Sequence, residues 1–115
     1  MQTIHSQLEI KNLAKKIHNG FLMVKFYADW CTPYKSMNPI YDELANDPQM
    51  SKVSNFIQIN RDDNMDLIID MNFDFMSIPR FFIIKVTDGN IVDKKDLGGS
   101  QTKSNLTEQI KVIAN

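Results

Sequence analysis

Phe21 to Ala28 is an almost unbroken apolar run of strand length. A strand that offers apolar side chains to both sides belongs at the centre of a sheet with helices packed on either face, and this limits the fold more than any other feature of the chain. The segments around it carry helix and strand signals in turn. Ser6-Gln-Leu-Glu9 has capping-box spacing and predicts a helix from about Leu8 to His18, with Ile10, Leu13, Ala14 and Ile17 on one face and Asn19-Gly20 as its stop. A short edge strand, Thr3 to His5, precedes it. A second helix begins beside Cys31, turns Met37, Ile40, Tyr41, Leu44 and Ala45 inward, is bent at Pro39 and leaves at Asp47-Pro48.

Val53 to Ile59 reads as a second inner strand, Asp62 to Asp70 as a third helix and Phe81 to Val86 as another strand. Asp88-Gly89-Asn90 is a hairpin signal leading into Ile91 to Asp96. A last helix, Ser104 to Ile113, buries Leu106, Ile110 and Ile113. The order β-α-β-α-β-α-β-β-α predicts an α/β fold, a central mixed sheet of about five strands flanked by four helices. No repeat, low-complexity tract or linker interrupts it.

At 115 residues and 43% hydrophobic content the chain is expected to form one domain, 1–115. A net charge of -1, with acids and bases intermixed, gives no electrostatic reason to expect nucleic acid or an anionic membrane as partner. Apolar runs fall short of a membrane span. Gln2, His5, Glu9 and several lysines stand where a signal peptide would have its apolar core, so a cytoplasmic location is expected. His5 and His18 are far apart with no cysteine nearby, which argues against zinc and predicts no metal site.

The single cysteine lies in Met23-Val-Lys-Phe-Tyr-Ala-Asp-Trp-Cys31-Thr-Pro-Tyr-Lys35. This segment resembles the thioredoxin family, which carries Val-x-Phe-x-Ala-x-Trp-Cys-Gly-Pro-Cys-Lys there. Further on, Ser77-Ile-Pro79-Arg-Phe looks like the family's segment ending in a cis-proline, and Leu97-Gly98-Gly99 like its third substrate-facing loop, so the likeness spans nearly the whole chain. Asn46 to Asn55 and Met71 to Met76 look longer than the family minimum and are expected to be surface loops.

Tyr34 stands where the family has its second thiol, so the chain cannot close an internal disulfide. Cys31 at the head of a helix would be stabilised as a thiolate by unpaired amides and the helix dipole, with Pro33 suited to the first turn. The other reading of Cys31 is a small buried hydrophobe. The resemblance places Trp30 beside the sulfur, where core packing is the alternative. Thr32, Pro33, Ile78, Pro79, Gly98 and Gly99 would line a substrate groove, with a cis Ile78-Pro79 peptide; read without the family, these are a trans turn and a plain glycine loop.

Two further residues would modulate the site. The Tyr34 hydroxyl either donates to the thiolate or simply packs or faces solvent. Lys25 replaces an aspartate the family commonly buries, and is expected to snorkel to an edge or face an anion; one reading has it stabilise the Cys31 thiolate. Arg80 is expected to bias the groove toward acidic or glutathione-like ligands. Asp62 and Asp63 are expected to serve a helix dipole, and Met23, Met37 and Met65 to fill the interior.

The resemblance thus implies thiol–disulfide exchange by Cys31 on protein disulfides or mixed disulfides, released by an external thiol such as glutathione, with no bound cofactor. The alternative is a non-catalytic binding or assembly module using the same groove. A monomer is expected, with an intermolecular disulfide dimer as the regulatory variant.

Overall fold

A computed structural model describes the backbone of residues 1–30 and 32–114, and the side chains of all of these except 32–36. Cys31 and the side chains of Thr32, Pro33 and Tyr34, all named above as site residues, lie outside the described residues.

The elements are β1 (Gln2–Thr3), α1 (Gln7–Ile17), β2 (Gly20–Tyr27), α2 (Thr32–Ala45), a 3-10 turn (Pro48–Met50), β3 (Val53–Asn60), α3 (Met65–Asp70), β4 (Arg80–Thr87), β5 (Asn90–Gly98) and α4 (Lys103–Ile113). The five strands form one sheet in the order β1-β3-β2-β4-β5. β3 runs parallel to both β1 and β2, while β4 is antiparallel to β2 and to β5. The apolar run thus supplies the central strand.

Alternation along β2 sorts its side chains onto two faces. Leu22, Val24 and Phe26 join Ile10, Leu13, Ala14, Leu67 and Ile68 under α1 and α3. Met23 points the other way, joining Met37, Tyr41, Leu44, Leu106 and Ile110 under α2 and α4. Tyr41 is fully buried there, and its hydroxyl donates to the Ile57 carbonyl at 2.9 Å, which satisfies the one polar atom the ring brings inside.

The ends of α1 and α3 follow from local chemistry. Ser6 accepts from the Glu9 amide at 3.2 Å, as the capping box requires, while the Glu9 carboxylate reaches one residue further back, to the His5 amide. At the other end His18 has φ 64 and ψ -61, and the Asn19 amide donates to the Ile17 carbonyl at 2.7 Å, which is a strained γ-turn on a non-glycine residue. The hairpin tip, with Asp88 at φ 53 and Gly89 at φ 78, is pinned against this turn by the Gly89 amide donating to the His18 carbonyl.

Three expectations need correction. The third helix starts at Met65, because 61–63 form a turn in which the Asp62 and Asp63 amides donate to the Asn60 side-chain oxygen. Met65 belongs to the exposed surface, unlike buried Met23 and Met37. The segment Met71 to Met76 is not a plain surface loop. Asn72 takes the left-handed position after α3, with the Asn72 amide bonded to the Ile69 carbonyl and the Phe73 amide to the Ile68 carbonyl. That cap turns Phe73 into the core, where it and Phe75 meet the Phe26 ring at 4.9 and 4.7 Å.

Candidate active site

The strand register gathers the candidate residues at one end of the sheet. Phe26 pairs with Arg80 and Phe81 with Gly98, so the chain after β2, the proline before β4 and the glycines ending β5 share that end. β3 delivers Arg61 and Asp62 there too, for the Arg61 amide donates to the Tyr27 carbonyl at 2.7 Å.

Trp30 is 65% exposed, so it is not core. Its indole N–H donates to Asp62 Oδ2 at 2.7 Å, and the Arg61 guanidinium lies 5.3 Å from the ring centre while pairing with Asp62 at 3.2 Å. Asp62 therefore serves the indole rather than a helix dipole. Arg61 and Asp62 hold the indole in place; the sequence alone gives Asp62 to a helix dipole and passes over Arg61, and the signal was their place at the end of a strand parallel to β2.

The Ile78–Pro79 peptide is cis. Ile78 is half-buried against the α1/α3 core, and Pro79 is buried. A Cβ built on Gly99 would stand 3.2 Å from the Pro79 carbonyl oxygen, so the absence of a side chain allows these two loops to meet. Gly98 ends β5 at φ 96. The Gln101 side-chain amide donates to the Leu97 and Gly99 carbonyls, and Gln109 on α4 bonds both Gln101 and the Leu97 carbonyl, which fixes the glycine loop from behind. Nothing in the sequence marked these two glutamines.

Arg80 does not offer its charge to a ligand as expected. Its guanidinium forms two 2.8 Å bonds with the Asp96 carboxylate. The same carboxylate holds its pKa above the usual arginine value.

Lys25 neither snorkels nor reaches a sheet edge. It has no exposure at all, on the α2 side of β2. Its Nζ donates to Asn38 Oδ1 at 2.9 Å, on the second turn of α2, and lies 5.0 Å from the Tyr41 ring centre and 5.8 Å from that of Tyr27. Burial lowers its pKa from 10.5 to about 8, against an opposing pull from the Asp42 charge. At neutral pH it is therefore mostly an ammonium. Among the described residues, no three His, Cys, Asp or Glu side chains converge to hold a metal ion, and no helix is long and apolar enough to cross a membrane.

A β1-β3-β2-β4-β5 sheet with a helix issuing just beyond β2, and a proline loop facing it ahead of β4, defines a thioredoxin-fold protein. The thioredoxin family model matches residues 5–112. The chain is 36% identical over 100 residues to the thioredoxin of Staphylococcus saprophyticus, spanning 87% of this chain and 88% of that one. It is 34% identical over 93 residues to thioredoxin of Staphylococcus aureus, spanning 81% and 82%. Among solved structures, Plasmodium falciparum oxidised thioredoxin superposes with a TM-score of 0.71 at 26% identity, covering 100% of this chain and 99% of that one. Malassezia sympodialis thioredoxin gives 0.75 at 21% identity, covering 99% and 93%, a likeness of fold alone.

The chain belongs to the thioredoxin family. The family's chemistry is thiol–disulfide redox exchange on protein disulfides, carried out with no bound cofactor.

Proposed function

We propose that this chain is a monothiol member of its family. The observation that carries the reading is the count of one cysteine, at the position of the family's attacking thiol, directly before the first residue of α2. The amides at the start of that helix and its dipole favour a thiolate. Cys31 Sγ⁻ attacks one sulfur of a substrate disulfide R–S–S–R′; the new Cys31–S–S–R bond forms as the old S–S bond breaks, and R′–S⁻ leaves and takes a proton from solvent. A second, external thiolate then attacks the mixed disulfide, re-forming the Cys31 thiolate and carrying R away as a disulfide. Glutathione is the external thiol proposed. Electrons balance without a cofactor.

Trp30, Thr32, Pro33, Ile78, Pro79, Gly98 and Gly99 would bind the substrate chain. Trp30 is supported by its exposure and by the Asp62 bond that orients it; the glycines are supported by the close Gly99 to Pro79 approach. Tyr34 and Lys25 would modulate the thiol, Lys25 as a buried cation bonded to α2. The same reading makes residues 1–115 a single domain acting as a monomer in a reducing, cytoplasmic setting, since one cysteine cannot form an internal disulfide.

Glutathione-dependent reduction of a mixed-disulfide peptide tests the proposal. Turnover is expected from the native chain and from no Cys31→Ser variant; equal turnover in both ends the reading. The second reading, a binding module without chemistry, draws on the replacement of the second thiol by Tyr34. Iodoacetamide alkylation followed against pH separates the two. An inflection below about pH 7.5 marks an activated thiolate, and one near 8.5 an ordinary cysteine.

A further inference from the structure

We propose that the outer face of α3 is a docking surface for a basic polypeptide segment that carries apolar side chains. The helix buries Leu67 and Ile68 but leaves Met65 and Ile69, one turn apart and therefore side by side, 48% and 65% exposed. Much of the apolar surface of these two side chains is left to solvent. Met65 also borders an open concavity of about 460 Å³, whose lining includes His5 and the carboxylates of Asp62, Asp63, Asp66 and Asp70.

The carboxylates are not all explained by the fold. Asp62 is committed to Trp30 and Arg61. Asp66 in the first turn suits the positive end of the helix, whereas Asp70 closes the last turn, where the dipole works against a negative charge. Asp63 and Asp70 are exposed. An acidic surface of this kind repels nucleic acid and acidic chains and attracts Lys and Arg side chains. The acidic stretch ends at Asp70, because the next hollow is lined by Lys11 and Lys15 of α1 as well. The occupant that matches both features is a segment whose apolar side chains seat on Met65 and Ile69 while its basic residues face Asp63, Asp66 and Asp70. Asp62 joins this face to the indole of Trp30.

The test uses two synthetic cysteine-free peptides of equal length, one alternating Lys with Leu and the other Glu with Leu. Calorimetry gives their affinities, and emission from Trp30, the only tryptophan, reports binding beside Asp62. The Lys/Leu peptide is expected to bind in low salt and to weaken about tenfold in about 0.5 M salt, where screening is short-ranged. The triple variant Asp63→Asn/Asp66→Asn/Asp70→Asn, and separately Ile69→Ser, should each weaken it about tenfold, with thermal unfolding of the Ile69→Ser protein unchanged. Equal binding of the Glu/Leu peptide, native affinity in both variants, or no binding of the Lys/Leu peptide would each overturn the proposal. Because the peptides carry no sulfur, the outcome is independent of the chemistry assigned to Cys31.

Discussion

Lys25→Met is expected to stabilise this protein at neutral pH, by an amount that falls as pH rises. The ammonium loses its proton at about 8 in the folded chain, against 10.5 for an ordinary lysine, because burial disfavours the charged form. At 1.36 kcal/mol per pKa unit, that gap amounts to about 3 kcal/mol. The sign follows from proton counting. Between these two values the unfolded chain holds a proton that the folded chain has lost, so stability rises with pH across that window. Below about 8 the cost of burying the charge is present in full, and above 10.5 it is gone.

Methionine removes the cost and keeps most of the volume, while giving up the charge-assisted bond to Asn38 and the contacts with the Tyr41 and Tyr27 rings, worth about 2 kcal/mol together. The net gain at pH 7 is therefore about 1 kcal/mol, which for a domain of this size moves Tm by roughly 5 °C. Urea unfolding of both proteins at several values between pH 7 and 10.5 gives the difference directly. It should fall by about 3 kcal/mol over that range and so reverse sign at the alkaline end. Tyr41, the aromatic neighbour, does not confuse the measurement, since burial holds its phenol well above its ordinary value of 10.0. A stability difference that stays flat with pH would refute the assignment of Lys25 as a buried ammonium.

Two other substitutions test the backbone. His18→Gly relieves the γ-turn at φ 64 and is expected to gain about 1 kcal/mol in urea unfolding, after the greater entropy of an unfolded glycine is counted; a loss of stability would show that the turn is not strained. Gly99→Ala puts a Cβ 3.2 Å from the Pro79 carbonyl, a backbone atom with little room to yield. It should cost about 1 kcal/mol and slow disulfide reduction, and a native rate would separate this contact from the site.

The fold was legible because the signals that specify it are local and agree with one another. An apolar run, a capping box and an Asp-Gly turn each point to the same element order, and their ends fall within a few residues of the observed ones. The segment 71–76 escaped because Asn72 does the work of the usual glycine after a helix, and Phe73 and Phe75 then read as loop residues although they face Phe26. Around the site, sequence could nominate residues but not their partners. The strand register decides that Asp62 meets Trp30 and Arg80 meets Asp96, and register lies in long-range pairing rather than in spacing. Lys25 was legible as an oddity; its bond to Asn38 was not.

That bond bears on how the departures at Lys25 and Tyr34 relate. Where the family buries an aspartate, a proton is moved for the benefit of a second thiol, and this chain has tyrosine in place of that thiol. The fold does not need a charge at Lys25, for methionine would serve it better by about 1 kcal/mol at pH 7. Under the proposed reading, a buried cation bonded to the helix that begins after Cys31 would favour the thiolate over the thiol, the reverse of a buried carboxylate's effect. The proposed monothiol chemistry depends on the attacking thiolate alone, and on that reading the two substitutions would act in one direction. Alkylation of Cys31 in Lys25→Met is the decisive measurement: its pH inflection is expected to move up relative to the native chain. A variant that gains stability while that inflection stays in place would make Lys25 a burden on the fold with no part in the chemistry.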